Sequence, residues 1–423
     1  MKPRLLVVAN LAMNDSSANG RTLKTLLCGF EAEELAQFYI SGAPDFNCCK
    51  NYYRISDKTA LQSVINPFFR KNIRGEVSCG SKAEVTGKLE QSSANISKSC
   101  KNKYIRNMIW SMHRWWTPDF EKFLDTFKPN AILLFAGDTP FMYDIARLIA
   151  KKRNIPLFMY NCENYVLKEV LYAGANKNSI WHLLLKSRLK KSYARFMKCV
   201  EYCFYNTDYL KEKYQAIYSH KGNGCAVYPT SSMEDLRSAR IHPETFTLLY
   251  CGNLGVGRSD ALLSLANVLY SVDTTARLKI FGTFPDEESK AQLLNCPNVD
   301  FGGRISYGQV LEETQKCSMV VHCENPERVK NLQSAFSTKI ADYLSCGIPI
   351  LIYALRDYPF VQYMEEHKVA HIAENEEELK KVLSECIISK DFRKKFVVSA
   401  LELADKNHSL EKNGKIVRNI ICS

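Results

Sequence analysis

Residues 336 to 351 read Phe-Ser-Thr-Lys-Ile-Ala-Asp-Tyr-Leu-Ser-Cys-Gly-Ile-Pro-Ile-Leu. The hydroxyls of Ser337 and Thr338 suit a helix cap, where they accept from the free N–H groups of the first turn. Ile340, Tyr343 and Leu344 fall at i, i+3 and i+4 and give that helix an apolar face. Gly347 suits a left-handed stop and Pro349 forbids continuation. Ile350, Leu351 and Ile352 then read as a buried parallel strand. A helix that opens at a polar turn offers bare N–H groups and a positive dipole end, which favour an anion such as phosphate. Lys339 lies in that turn. Asp342 follows one turn later on the same side, where a carboxylate can hold the hydroxyls of a ribose. The spacing equally fits a plain capped helix with a surface Lys and Asp.

The run Ser337-Thr338-Lys339-x-x-Asp342-Tyr343-Leu344-x-Cys346-Gly347-x-Pro349 resembles the donor-site helix of GT-B glycosyltransferases, in particular the retaining, family 4-like enzymes. Upstream, Leu248-Leu249-Tyr250-Cys251-Gly252-Asn253-Leu254-Gly255-Val256-Gly257-Arg258 is similar to the first strand and glycine loop of that family's donor domain. Order and spacing agree over roughly residues 245–385, and the N-terminal half agrees in outline. The resemblance implies an α/β chain of GT-B architecture, two Rossmann-like domains facing each other across a cleft. It also implies a metal-independent, hexosyltransferase-like enzyme with a UDP- or GDP-type sugar donor and no cofactor. Ser337, Thr338, Lys339, Gly255, Gly257 and Arg258 would hold the diphosphate and Asp342 the ribose. Gly282, Thr283, Arg304 and Ile305 would border the nucleotide. Two positions depart from the family: Asp342 stands where Glu is usual, and Ser334 stands where the family commonly has another Glu, eight residues earlier. Glu324 and Glu327 are the acids nearest that gap, and Glu324 is assigned to the acceptor side of the cleft.

The 423 residues suffice for two domains, expected at 1–232 and 233–405, with a final helix over 406–423 that returns to the first. Residues 1–240 contain 36 Lys and Arg against 21 acids, and residues 241–423 contain 21 against 24. A basic first half calls for an anionic partner: a membrane surface, a lipid-diphosphate acceptor, or, last in order, nucleic acid, for which no recognition module is present. Two segments carry the suggestion. Lys101 to Trp116 mixes cations with Trp110, Trp115 and Trp116, and Ile180 to Val200 has six Lys and Arg and no acid. Both read either as helices at a membrane interface, with tryptophan at headgroup level, or as half-buried helices with cations at the rim. No apolar run reaches membrane-spanning length. Leu5-Leu6-Val7-Val8-Ala9 reads as a first buried strand rather than a signal segment. Sixteen cysteines show no paired spacing, so reduced thiols and a cytoplasmic, at most membrane-peripheral, location are expected, and no metal set such as Asp-x-Asp is seen.

In the first half, Gly20 at a strand-to-helix turn permits close approach by a ligand. Residues 45–103, poor in period, read as a mobile insertion on the cleft side. Asp138 and Glu163 follow the strands 131–135 and 155–160, and ligands of open parallel sheets bind beyond such strand ends. Glu163 is the first choice for a base or orienter at the acceptor hydroxyl. The function expected is transfer of a sugar from a nucleotide diphosphate to a glycan or lipid-linked hydroxyl, in surface polysaccharide synthesis. The alternatives are a sugar-nucleotide epimerase of the same fold and a non-catalytic nucleotide-sugar-binding partner of another transferase.

Overall fold

The computed structural model describes residues 2–66, 75–79, 99–172, 175–218, 223–324 and 336–423. They form two compact units, Met1–Pro229 with Leu410–Ser423, and Thr230–Ser409.

The first unit is built on β1 (Leu5–Val8), β2 (Leu35–Tyr39), β3 (Asn51–Arg54), β4 (Glu76–Cys79), β5 (Ala131–Phe135), β6 (Leu157–Asn161), β7 (Tyr202–Tyr205) and β8 (Gly224–Ala226). Their order in the sheet is β4-β3-β2-β1-β5-β6-β7-β8, and only β4 runs antiparallel to its neighbour. Every residue of β1, β2, β5 and β6 is buried, as parallel strands covered on both faces must be. The covering helices are α1 (Ala18–Leu26), α2 (Asp57–Ile65), α3 (Cys100–Ser111), α4 (Pro118–Phe127), α5 (Pro140–Arg153), α6 (Ile180–Met197) and α7 (Asp208–Ile217). Local chemistry sets their starts: Ser17 and Thr207 accept from the N–H groups of Gly20 and Leu210, and Pro118 and Pro140 open α4 and α5.

The second unit has a fully parallel sheet in the order β11-β10-β9-β12-β13-β14, from β9 (Thr247–Asn253), β10 (Arg277–Thr283), β11 (Val299–Phe301), β12 (Met319–Cys323), β13 (Ile350–Tyr353) and β14 (His371–Ala373). Its helices are α8 (Arg258–Val272), α9 (Glu287–Leu294), α10 (Tyr307–Gln315), α11 (Thr338–Ser345), α12 (Pro359–Glu366), α13 (Glu376–Ile388), α14 (Lys390–Lys394) and α15 (Val397–Asn407). Gly347 takes φ +69° just past α11, as the left-handed stop requires. The last helix, α16 (Leu410–Cys422), belongs to the first unit: it packs on α1, Val417 and Ile421 join the core there, and Arg418 pairs with the buried Glu34.

One expectation needs correction. Residues 45–103 are not wholly an insertion, because 51–54 add a strand to the sheet and 57–65 a helix; residues 80–98 lie outside the described part. Of the two readings of 101–116, the half-buried helix is the one observed, with Trp116 partly exposed. Trp110 and Trp115 are buried, Trp110 stacks on Phe141, and its Nε1 donates to Asp57, because α3 turns its aromatic face inward. No helix among the described residues is long and apolar enough to cross a membrane.

Candidate functional site

Both sheets reverse their strand order beside their first strand: β1 lies between β2 and β5, and β9 between β10 and β12. Parallel sheets bind ligands at the carboxyl ends flanking such a reversal. Each unit is therefore read from these ends.

In the second unit, β9 runs into a loop held by its own side chains. Tyr250 Oη donates to the Asn253 carbonyl at 2.8 Å, and Asn253 Oδ1 accepts from the Gly255 N–H at 2.7 Å. Val256 has φ +63° and Gly257 φ +80°. A β-branched residue at positive φ is strained, so the loop's shape is imposed by its surroundings. It delivers Arg258 to the first position of α8, where the helix dipole disfavours a cation. The offset comes from β12: Glu324, just beyond that strand, takes the guanidinium in a fork, with Nε to Oε2 at 2.9 Å and Nη2 to Oε1 at 2.7 Å. Burial opposes the carboxylate's charge, but contacts with His322 and Arg258 outweigh it and hold Glu324 down at about 2. His322 is buried with Nε2 3.3 Å from Glu324 Oε1, and burial depresses its pKa. Glu324 is thus a partner of Arg258 in the second unit.

Lys339 completes the group. Its ammonium nitrogen is buried, has no hydrogen-bond partner among the described residues, and lies 4.4 Å from the centroid of the Tyr250 ring. Burial and the neighbouring Arg258 lower its pKa to about 8. Gly252, at φ +151°, makes room: a Cβ there would stand 2.5 Å from Lys339 Nζ. Two cations therefore lie near one carboxylate, which pairs with Arg258. Ser337 occupies the cap position of α11 but its hydroxyl makes no capping bond, contrary to the expected cap, and Thr338 is the first helical residue. One turn on, Asp342 Oδ1 accepts from Ser231 Oγ at 2.6 Å and from Tyr307 Oη at 3.0 Å. Burial and Asp342 push the Tyr307 hydroxyl up to about 12. Gly282 (φ +159°) and Thr283 end β10 beside the loop, where the Thr283 carbonyl accepts from the Leu254 N–H. Arg304 is exposed and Ile305 half-buried just before α10. Ser334 and Glu327 lie outside the described residues.

In the first unit, the loops after β1 and β5 border a cavity of about 80 Å³ lined by Asn10, Asn19, Phe135, Gly137, Asp138 and Tyr165, among others. Lys103 reaches Asp138 at 2.8 Å and, against burial, keeps its carboxyl below the usual range. Glu163, past β6, pairs with Lys168, whose own pKa burial lowers. Gly20 lies within α1, and a Cβ on it would stand 2.6 Å from Asn14 Oδ1 and 2.7 Å from Ser17 Oγ. The close approach it permits is to its own loop.

Sequence reasoning missed Ser231, Tyr307, Tyr250 and Asn10. Tyr250 alone carried a signal, a polar-tipped ring inside an apolar strand; the others act through contacts between distant segments.

Residues 259–417 match the model of a family described as Glycosyl transferase-like. No curated protein matches the chain in sequence. Among solved structures, it is similar to sucrose-phosphate synthase of Thermosynechococcus elongatus, with TM-score 0.62 and 10% identity over 99% of this chain and 98% of that one. Anabaena HepE in complex with UDP gives TM-score 0.61 at 10% identity over 99% of each chain. An E. coli protein described as trehalose-6-phosphate, bound with UDP-2-fluoro glucose, gives TM-score 0.61 at 10% identity over 99% and 98%. The chain therefore has the GT-B fold along its length, and its stretch 259–417 is similar to the glycosyl transferase-like family.

Proposed function

We propose that the protein transfers a sugar from a nucleotide diphosphate to an acceptor hydroxyl. The observation that carries this is the buried Lys339 ammonium, unpartnered among the described residues, beside Arg258 and the start of α11. A diphosphate brings the charge this group of cations is short of. In the reaction the bond from the anomeric carbon to the diphosphate oxygen breaks, and the acceptor oxygen forms a new bond to that carbon. The charge that develops on the leaving oxygen is met by Lys339, Arg258 and the first-turn N–H groups of α11, rather than by a metal. Asp342 holds the ribose. Glu163, a paired carboxylate past β6, is the choice to take the acceptor's proton, with Asp138 and the cavity beside it for the acceptor's other groups. UDP is the first donor nucleotide to test, because two of the similar structures contain UDP or a UDP-sugar analogue.

The acceptor is a glycan or lipid-linked hydroxyl in surface polysaccharide synthesis, met at an anionic membrane face. Support comes from the basic first unit, where α3 and α6 pack together and leave Ile105, Met108, Met112, Ile180, Leu183 and Leu184 exposed. A second reading, a nucleotide-sugar-binding partner without activity, draws on Ser334 in place of the family's Glu.

Thermal shift against UDP, GDP, ADP and CDP, with Asp342→Ala alongside, tests the site. One nucleotide at about a hundred times its Kd stabilises by roughly 2.7 kcal/mol, and the variant loses most of that. No shift with any nucleotide removes the donor reading. Binding without donor hydrolysis or transfer selects the second one.

A further inference from the structure

We propose that Arg147, Arg188 and Arg195 form a binding site for a phosphate group, gathered around the buried Asp144 on the first unit. None of the strand-end residues described above belongs to it, and it stands whether or not the chain transfers sugar.

Helices α5 and α6 pack side by side, with α3 against both. Across them α3 carries three cations, α5 four and α6 five, against a single acid, Asp144. Four of those cations find carboxylates elsewhere: Lys103 with Asp138, Arg106 with Asp57, and Lys152 and Arg153 with Glu121. Asp144 is 5% exposed and faces three guanidinium groups, Arg195 at 3.4 Å, Arg188 at 3.5 Å and Arg147 at 3.7 Å. Its one good hydrogen bond comes from Ser192 Oγ at 3.0 Å. Charge-assisted bonds between arginine and carboxylate are shorter, at about 2.7–2.9 Å. The carboxylate therefore collects the three forks without using up their donors. Arg188 Nη2 also donates to Ser111 Oγ and Arg195 Nη2 to Ser192 Oγ, both at 3.3 Å, and all three arginine side chains stay partly exposed.

One carboxylate offsets one of three guanidinium charges. The surplus, presented by planar forks, suits the oxygens of a phosphate better than a point charge does. The neighbouring surface adds an apolar element. Leu148 and Lys151 share the α5 face of Asp144 and Arg147, at i+4 and i+7 from Asp144, and line an open cavity of about 550 Å³ with His113, Trp116 and Lys152. A phosphate joined to an apolar body fits this combination. Its source is either a lipid headgroup or a soluble phosphorylated molecule.

The test uses the full-length protein and two probes: inorganic phosphate, followed by calorimetry, and phosphatidylcholine vesicles with or without phosphatidic acid, followed by flotation. Two double variants are compared with wild type. Arg188→Lys with Arg195→Lys keeps the charge and removes the forks. Lys190→Gln with Lys191→Gln removes charge on the same helix outside the cluster. The site predicts that wild type binds at least one probe, that the Arg→Lys pair weakens this about tenfold, and that the Lys→Gln pair weakens it less than about threefold. UDP binding stays unchanged in both. Binding of phosphate alone assigns a soluble ligand, and binding of vesicles assigns a headgroup. Binding of neither probe by wild type, or an equal loss in both pairs, overturns the site and leaves a diffuse basic face. If the Arg→Lys pair melts early, Arg195→Lys alone, at a side chain 46% exposed, takes its place with the same outcomes.

Discussion

Arg258 and Glu324 join the ends of two neighbouring strands, with guanidinium Nε and Nη2 meeting both carboxylate oxygens at 2.9 and 2.7 Å. One residue follows β9 and the other follows β12, so the pair closes the sheet at its point of strand-order reversal. Removing one partner leaves the other buried and uncompensated. Glu324→Ala is expected to cost about 3 kcal/mol of stability, measured by chemical denaturation. Because Arg258 is then no longer held, UDP affinity falls as well. A variant that melts as wild type would show that the fork does not hold the two strands.

Lys339 gives a pH signature of two opposite signs. Its folded pKa is about 8, below the ordinary 10.5, so the unfolded chain binds more protons between those values. Stability of the free protein therefore gains from this group as pH rises from about 8 toward 10.5. UDP binding moves the other way, falling above about pH 8 as the ammonium is lost. Lys339→Met is expected to stabilise the free protein by roughly 1–2 kcal/mol and to abolish UDP binding. Calorimetry across pH 6.5–9.5 checks both, and a flat affinity profile would exclude Lys339 from the phosphate contact.

Ser231 and Tyr307 hold one oxygen of Asp342 from two separate segments. Tyr307→Phe removes one such bond and should weaken UDP binding about fivefold, equivalent to roughly 1 kcal/mol. Asp342→Ala should cost more than Tyr307→Phe and Ser231→Ala together. Equal losses for Asp342→Ala and Tyr307→Phe would point to Tyr307 itself as the nucleotide contact.

Gly282 leaves no room for a side chain: a Cβ would lie 1.8 Å from the Gly252 carbonyl oxygen, at a φ of +159°. Gly282→Ala is expected to destabilise by about 3 kcal/mol, because backbone must move. The shift would reach Lys339 through Gly252, so UDP binding should fall too. Gly303→Ala, with positive φ but open space around the added carbon, serves as the milder comparison in the same melting experiment.

Much of the architecture was legible in local pattern. Leu5–Val8, Ala131–Phe135 and Ile350–Tyr353 are continuous apolar runs, and only a strand buried on both faces needs that composition. Gly347 and Pro349 ended α11 for stereochemical reasons that no tertiary context alters. The order of motifs in 245–385 likewise pointed to a second parallel α/β unit, since a strand, a glycine loop and a helix stop are local patterns. Tertiary structure decided what each charged side chain meets. Glu324 and Arg258 are 66 residues apart, Ser231 and Asp342 are 111 apart, and Asp144 gathers arginines from two helices. Trp110 and Trp115 show the same limit: their spacing fitted an interface or a core, and packing against Asp57, Phe141 and Phe38 chose the core. Helix and strand periods say which residues are apolar or charged on one element. The partner of a buried charge is chosen by which elements the sheet brings side by side, and that is not a property of any single stretch of chain.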